Sequence, residues 1–267
     1  MFGALEGIEV YKSLGFYILA SIARPLGFLT VFTVINFALP QARLIKIAIA
    51  LGFAAPIVMV YEVPLFDVYK DDRYFDRVFL PFKELILGLL IGLFASLPFY
   101  GFKFAGTFID FYRGESSNGL RLEGSSTTTT LGLMFYLALL YAFLSNDGLW
   151  RLIEAVYLSY AIWPIEAYLP SLDTSAIGIA VDHVIQVFFI MLQVGLPLLI
   201  MLFLCEMFVI VSNIFAQRFG FANSIFLIKN LCCLAILPLY FVYVTHVSDT
   251  YLQDVWMPLP ILERIIK

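Results

Sequence analysis

Residues 83–130 read KELILGLLIGLFASLPFYGFKFAGTFIDFYRGESSNGLRLEGSSTTTT. Within that stretch Leu85–Phe104 carries Lys103 as its only charge. Its length is the roughly 20 residues needed to cross the hydrocarbon core of a bilayer. The apolar pattern returns at Leu131–Leu144. Between the two lies Gly106–Thr130, rich in Ser, Thr and Gly. A long connection without evident secondary structure is either functional or disordered, so this segment is expected to be the working part of the chain.

The same alternation extends outward. Further apolar segments run over Leu14–Leu39, Ile45–Val63, Leu131–Trp150, Val184–Val211 and Ile225–Val244. Leu152–Leu169 is shorter and carries Glu154, Pro164 and Glu166, which makes it interfacial in character. Mean hydropathy is +0.94, with 62% hydrophobic and 13% charged residues. An average soluble chain carries about twice that share of charge. The expectation is an all-α membrane protein of about six long, hydrophobic, proline-kinked helices, forming one domain over 1–267. No internal repeat is visible, and the first residues, with Glu6 and Glu9 against Lys12, lack the basic start of a signal peptide.

Basic residues do not set an orientation. With six spans, Lys12, Lys70, Arg73, Arg77, Arg151, Arg264 and Lys267 fall on one side. Arg43, Lys46, Lys103, Arg113, Arg121 and Arg218 fall on the other. Such an even split gives no positive-inside signal. It points either to a different number of spans or to a protein that does not sit as a plain bundle in lipid. The net charge of −4 by itself says nothing about nucleic acid, but no basic patch exists, and nucleic acid is not an expected partner.

Two patterns define helix faces. Glu84, Gly88, Gly92 and Ser96 recur every fourth residue and share one stripe. Paired small residues let two backbones approach closely, and an ion on that stripe faces protein rather than lipid. Glu206, Asn213 and Gln217 form a second face, and Lys229 is buried in the following segment. A Glu206–Lys229 pair across a turn at Gln217–Asn223 is one expectation; partners on another subunit are the alternative. Pro25, Pro56, Pro98, Pro197 and Pro238 each remove a helical hydrogen bond, which favours bent helices packed on other protein.

Catalytic chemistry is not legible. His183 and His246 stand apart from any acid or thiol cluster of metal-binding spacing. No HExxH, GxSxG, P-loop or GxGxxG occurs. Cys205, Cys232 and Cys233 lie in apolar segments and read as packing residues. No catalytic residue, cofactor or metal is expected, and the chain is expected not to be an enzyme.

The run Lys83-Glu84 through Gly88 and Gly92, then Pro98-Phe99 and Gly106-Thr-Phe-Ile109-Asp110-Phe-Tyr-Arg113-Gly114, resembles the T subunit of the type III secretion export apparatus. This is the FliR/SpaR/YscT/HrcT family of flagellar and virulence-associated machines. Gly195-Leu196-Pro197, Glu206, Phe215-Ala216-Gln217, Asn223 and Ile228-Lys229 continue the resemblance, as do Arg24 and Ala42-Arg43. It covers nearly the whole chain, and the Ile109-Asp110…Arg113-Gly114 form is closer to the injectisome branch than to the flagellar one. One departure falls in the loop, where Leu122-Glu123-Gly124 and Thr127–Thr130 replace the family's Asp-Pro and Ser-Pro.

The resemblance implies a structural subunit, multi-pass in the bacterial inner membrane within the secretion basal body. Its implied partners are the R and S gate subunits, the U switch subunit, needle or rod proteins and unfolded secretion substrates. It also implies that the loop acts as a plug in the closed pore, with Ser116, Ser117, Asn118, Gly119, Leu120, Gly124, Ser125, Ser126 and Thr127 as its residues. Helix packing and buried ions are expected at Glu84, Gly88, Gly92, Asp110, Arg113, Gly114, Glu206 and Lys229. The competing reading from the residues alone is a secondary transporter or channel for small solutes, since broken helices and intramembrane ions are typical of such sites.

Overall fold

Helices account for the secondary structure of the computed structural model, which describes residues 2–60, 74–115, 129–165, 174–215 and 225–254. In chain order they are α1 (Phe2–Val31), α2 (Thr33–Ala38), α3 (Arg43–Val60), α4 (Tyr74–Tyr112), α5 (Thr130–Ser145), α6 (Gly148–Ile162), α7 (Thr174–Phe215) and α8 (Ile225–Asp254). Among the described residues there is no strand. A chain this apolar has little choice, because in hydrocarbon a helix satisfies its own backbone hydrogen bonds. The protein is a helical membrane protein.

Each of the apolar segments read from the sequence contains a helix among its described residues, but the lengths differ from expectation. Among the described residues three helices are long and apolar enough to cross a membrane: Phe79–Tyr112, Val181–Phe215 and Ile225–Leu252. The α5–α6 pair makes a fourth if its two halves are one span. The segment expected over Leu14–Leu39 breaks at Phe32, whose ψ of 114° is not helical. The segment expected over Leu131–Trp150 breaks at Asn146–Asp147, where Asp147 takes a positive φ of 54°. The sequence Ser145-Asn146-Asp147-Gly148 is a strong turn signal, and it overrides the surrounding hydrophobicity. The prolines lie within helices that continue through them.

The chain forms two compact units. The first comprises Met1–Ser96, Trp150–Val181 and Met257–Lys267; the second comprises Leu97–Leu149 and Asp182–Trp256. In the first unit Ala20, Ile57, Leu80, Tyr160 and Ile165 form a buried cluster covered by Phe16, Val58 and Tyr157. Here α1 and α4 cross at backbone contact. A Cβ on Gly88 would overlap the Arg24 carbonyl oxygen, and one on Gly92 would lie 2.8 Å from the Phe28 carbonyl oxygen. Gly27 meets the Leu85 backbone in the same way. Ser96 completes the stripe by accepting from Thr33 N at 3.0 Å, which caps the break at Phe32.

In the second unit Phe99 packs on Tyr136 and Phe143, and Phe135 on Tyr240. Gly106 presses on the backbone of Leu131, bringing α4 and α5 together just where the polar loop leaves and returns.

Candidate functional site

The polar loop is narrower than its composition indicates. Residues 106–112 continue α4 for nearly two more turns, because Gly106, Ile109 and Asp110 place a buried face there. Gly114, at a φ of +86°, then ends the helix. Gly114 N donates to Phe111 O at 3.1 Å, and Glu115 N donates to Asp110 O at 3.0 Å. This crossed pair is the Schellman termination, whose left-handed residue is most easily glycine. The loop residues expected to form a plug, Ser116, Ser117, Asn118, Gly119, Leu120, Gly124, Ser125, Ser126 and Thr127, lie outside the described residues.

The two ends of the loop are tied to each other. Asp110 is fully buried. Its Oδ1 accepts from Arg113 Nε at 2.8 Å and Nη2 at 2.6 Å, while Oδ2 accepts from Leu131 N at 2.7 Å. Leu131 N is one of the donors that the first turn of α5 leaves without a helical partner. Thr129, the residue before α5, makes no side-chain cap of its own. Asp110 supplies that cap from the end of α4, and its negative charge suits the positive end of the α5 dipole. Arg113 also pairs with Glu115 Oε2, and Glu115 Oε1 accepts from Thr130 Oγ1 at 2.7 Å. Thr129 Oγ1 reaches Thr107 Oγ1 at 3.2 Å. Residues 107–115 and 129–131 therefore form one hydrogen-bonded stem.

A second ion group continues from this stem. Glu206 Oε2 on α7 lies 3.1 Å from Lys229 Nζ on α8 and accepts from Tyr112 Oη at 2.6 Å. Lys229 Nζ also donates to the Tyr112 carbonyl at 3.3 Å and sits 4.7 Å from the Tyr112 ring centre. Gly114 packs against the Phe226 ring, one turn before Lys229. Tyr112 and Gly114 thus join the stem to the α7–α8 pair. A groove of about 570 Å³ opens beside it, lined by Arg113, Glu115, Thr130, Leu227, Asn230, Leu231 and Leu234.

Glu84 belongs to a separate group in the first unit. It is fully buried, and its Oε2 accepts from Arg24 Nε at 2.6 Å. The guanidinium donates onward to Ser159 Oγ at 3.0 Å and Trp163 O at 2.8 Å, and lies 3.8 Å over the Tyr160 ring. Lys83 Nζ faces Glu84 Oε1 at 3.1 Å and donates to Ile165 O at 2.8 Å. Each of these cations meets an oxygen or a ring, as a buried charge requires. With Gly88 and Gly92 pressed on Arg24 and Phe28, the arrangement fastens α1, α4 and α6 together.

Sequence reasoning did not find Ser159, Trp163, Tyr112, Glu115 or Thr130 as members of these groups. Each is one polar or aromatic residue among many, and its role depends on contacts distant in sequence. The Asn-Asp-Gly turn was the one unused local signal. Among the described residues no group of three or more His, Cys, Asp and Glu could hold a metal ion.

Comparison with known proteins gives a consistent result. Residues 16–255 match the family described as bacterial export proteins, family 1. The Yop proteins translocation protein T of Yersinia pestis is 28% identical over 210 residues, covering 77% of this chain and 80% of that protein. The surface presentation of antigens protein SpaR of Shigella flexneri is 34% identical over 115 residues, 41% of this chain and 45% of its own length. The flagellar biosynthetic protein FliR of Bacillus subtilis is 26% identical over 139 residues, about half of each chain.

Proposed function

This chain belongs to the bacterial export proteins, family 1, and from that premise we propose that it is a structural, non-catalytic subunit of a type III secretion export gate. In this reading it sits in the bacterial inner membrane and forms, with R and S subunits, the conduit for unfolded secreted proteins. The U subunit and the needle or rod proteins are its further partners. Within the 106–130 region, the loop between the two ends of the stem is the pore plug, and the stem between α4 and α5 carries it.

The observation that carries the reading is the stem. A polar segment poor in apolar side chains cannot bury enough surface to fold by itself. If it is to occupy a pore and leave it repeatedly, its ends must stay fixed while its middle yields. Asp110 and Arg113 anchor one end, Thr129–Leu131 the other, and Glu115 spans both. Among the described residues, the contacts that hold the stem run between 107–115 and 129–131. Obstruction and anchoring are then separable, and displacement of the loop costs only the weak contacts of its Ser, Thr and Gly side chains.

The test is to delete 117–126 from the full chain, leaving the stem intact, and to purify it with its companion subunits. The proposal expects a complex of unchanged composition that leaks small ions in the absence of substrate. A complex that no longer assembles would place the loop in the structural framework. An assembled complex as tight as the original would put the barrier elsewhere.

A further inference from the structure

The apolar run of α4 contains one cation for which this chain provides no carboxylate among the described residues. Other charges on Phe79–Tyr112 are paired: Lys83 and Glu84 with each other and with Arg24, and Asp110 with Arg113. Lys103 is different. Its backbone oxygen accepts from Thr107 Oγ1 at 2.9 Å, but among the described residues its half-buried ammonium has neither an ion pair nor a hydrogen bond. It lies seven residues short of Asp110, about 10 Å along the helix. Side chains on a helix tilt toward its N-terminus. The lysine stem therefore leans into the apolar run rather than toward the polar stem at Arg113.

The surface beside Lys103 is aromatic. Tyr100, Phe104, Phe108 and Phe111 recur at helical spacing, and the three phenylalanines are each half-exposed or more. Tyr100 and Phe104 stack with ring centres 6.1 Å apart. The other side of the helix, Phe102, Ala105 and Ile109, is fully buried within the second unit. An ammonium in apolar surroundings pairs, or faces water, because leaving it alone is costly. A row of phenylalanines is poor lining for a wet path and good material for a packed interface.

Resting on the reading of the chain as one subunit of a membrane complex, we propose that the Tyr100–Phe104–Phe108–Phe111 face of α4 docks an apolar helix of a neighbouring subunit whose carboxylate pairs with Lys103. The aromatic rings supply the contact area. The ion pair fixes the register, since sliding the partner by one turn would leave both charges uncompensated.

Lys103→Glu and Lys103→Arg, made in the full chain and co-expressed with the companion subunits, test this by the yield of intact complex in a mass measurement. Lys103→Arg should keep the original yield, and Lys103→Glu should lose about tenfold or more. Changing one partner carboxylate to lysine should then restore the Lys103→Glu complex. Lys103→Cys, in any complex that forms, should resist a charged, membrane-impermeant maleimide. Undiminished yield of Lys103→Glu would overturn the proposal, as would its loss without rescue by any partner carboxylate. Fast labelling of Lys103→Cys would overturn it too, by assigning the residue to a water-filled path. If the unaltered chain itself fails to copurify with companions, the subunit reading fails, and that outcome is distinct from these.

Discussion

The Asp110 carboxylate serves two partners. It caps the start of α5 through Leu131 N and neutralises Arg113, with all its contacts between 2.6 and 2.8 Å. Asp110→Ala would leave Arg113 with Glu115 alone and expose an unfilled donor at Leu131. Breaking a buried pair in this way costs about 3–5 kcal/mol in soluble proteins. Asp110→Asn keeps an acceptor for Leu131 N but loses the charge, and should cost about 1–3 kcal/mol. Thermal unfolding of the purified complex should rank original, then Asn, then Ala; equal midpoints would show that the stem carries no stability. Glu84 gives a parallel case. Glu84→Gln should lower the yield of intact complex less than Glu84→Ala, because an amide oxygen still accepts from Arg24 while alanine leaves two cations facing each other. Equal yields would mean the charge in that nest is idle.

Among the helices, spacing was legible, and of the pairings only Glu206–Lys229 was, its ions standing 3.1 Å apart as expected. The Glu84-Gly88-Gly92-Ser96 stripe follows from the helical period alone. That it lies on Arg24, Phe28 and Thr33 depends on a contact some sixty residues distant, which local pattern does not encode. Tyr112 was hidden for the same reason: it is one of 15 tyrosines, distinguished only by reaching Glu206. The end of α4 was misread for a different reason. Thr107, Asp110 and Arg113 lower local hydropathy, yet α4 runs on to Tyr112 because their polar groups find partners in the stem. The close crossing yields a sharp contrast between glycines. Gly88→Ala must push apart two backbones and should abolish the α1–α4 contact. Gly52, in α3, has nothing within 4 Å of where a Cβ would stand. Gly52→Ala should be neutral or stabilise by about 0.5–1 kcal/mol through reduced chain entropy. Steady-state levels of the two variants in the membrane would separate them, and equal levels would contradict the crossing.

For the fold entire, helix length and exposure argue together. The apolar stretches of α4 and α7 are 34 and 35 residues, about 50 Å at 1.5 Å per residue. A bilayer core is about 30 Å thick. Exposed apolar side chains crowd α7 and α8, among them Phe203, Phe208, Phe215, Leu231, Leu234 and Leu239. Lipid covers part of this surface; helices longer than the core need protein for the remainder. The chain expressed alone should therefore be degraded or aggregate, and persist only with companion subunits. A long-lived, monodisperse monomer in mild detergent would contradict that. Everything proposed for the gate depends on a fixed stem presenting a displaceable obstruction, and single-channel conductance of the reconstituted complex decides whether it does. With 117–126 deleted and the subunit composition unchanged, open conductance is expected without substrate. An intact deletion complex that stays as closed as the original would contradict it.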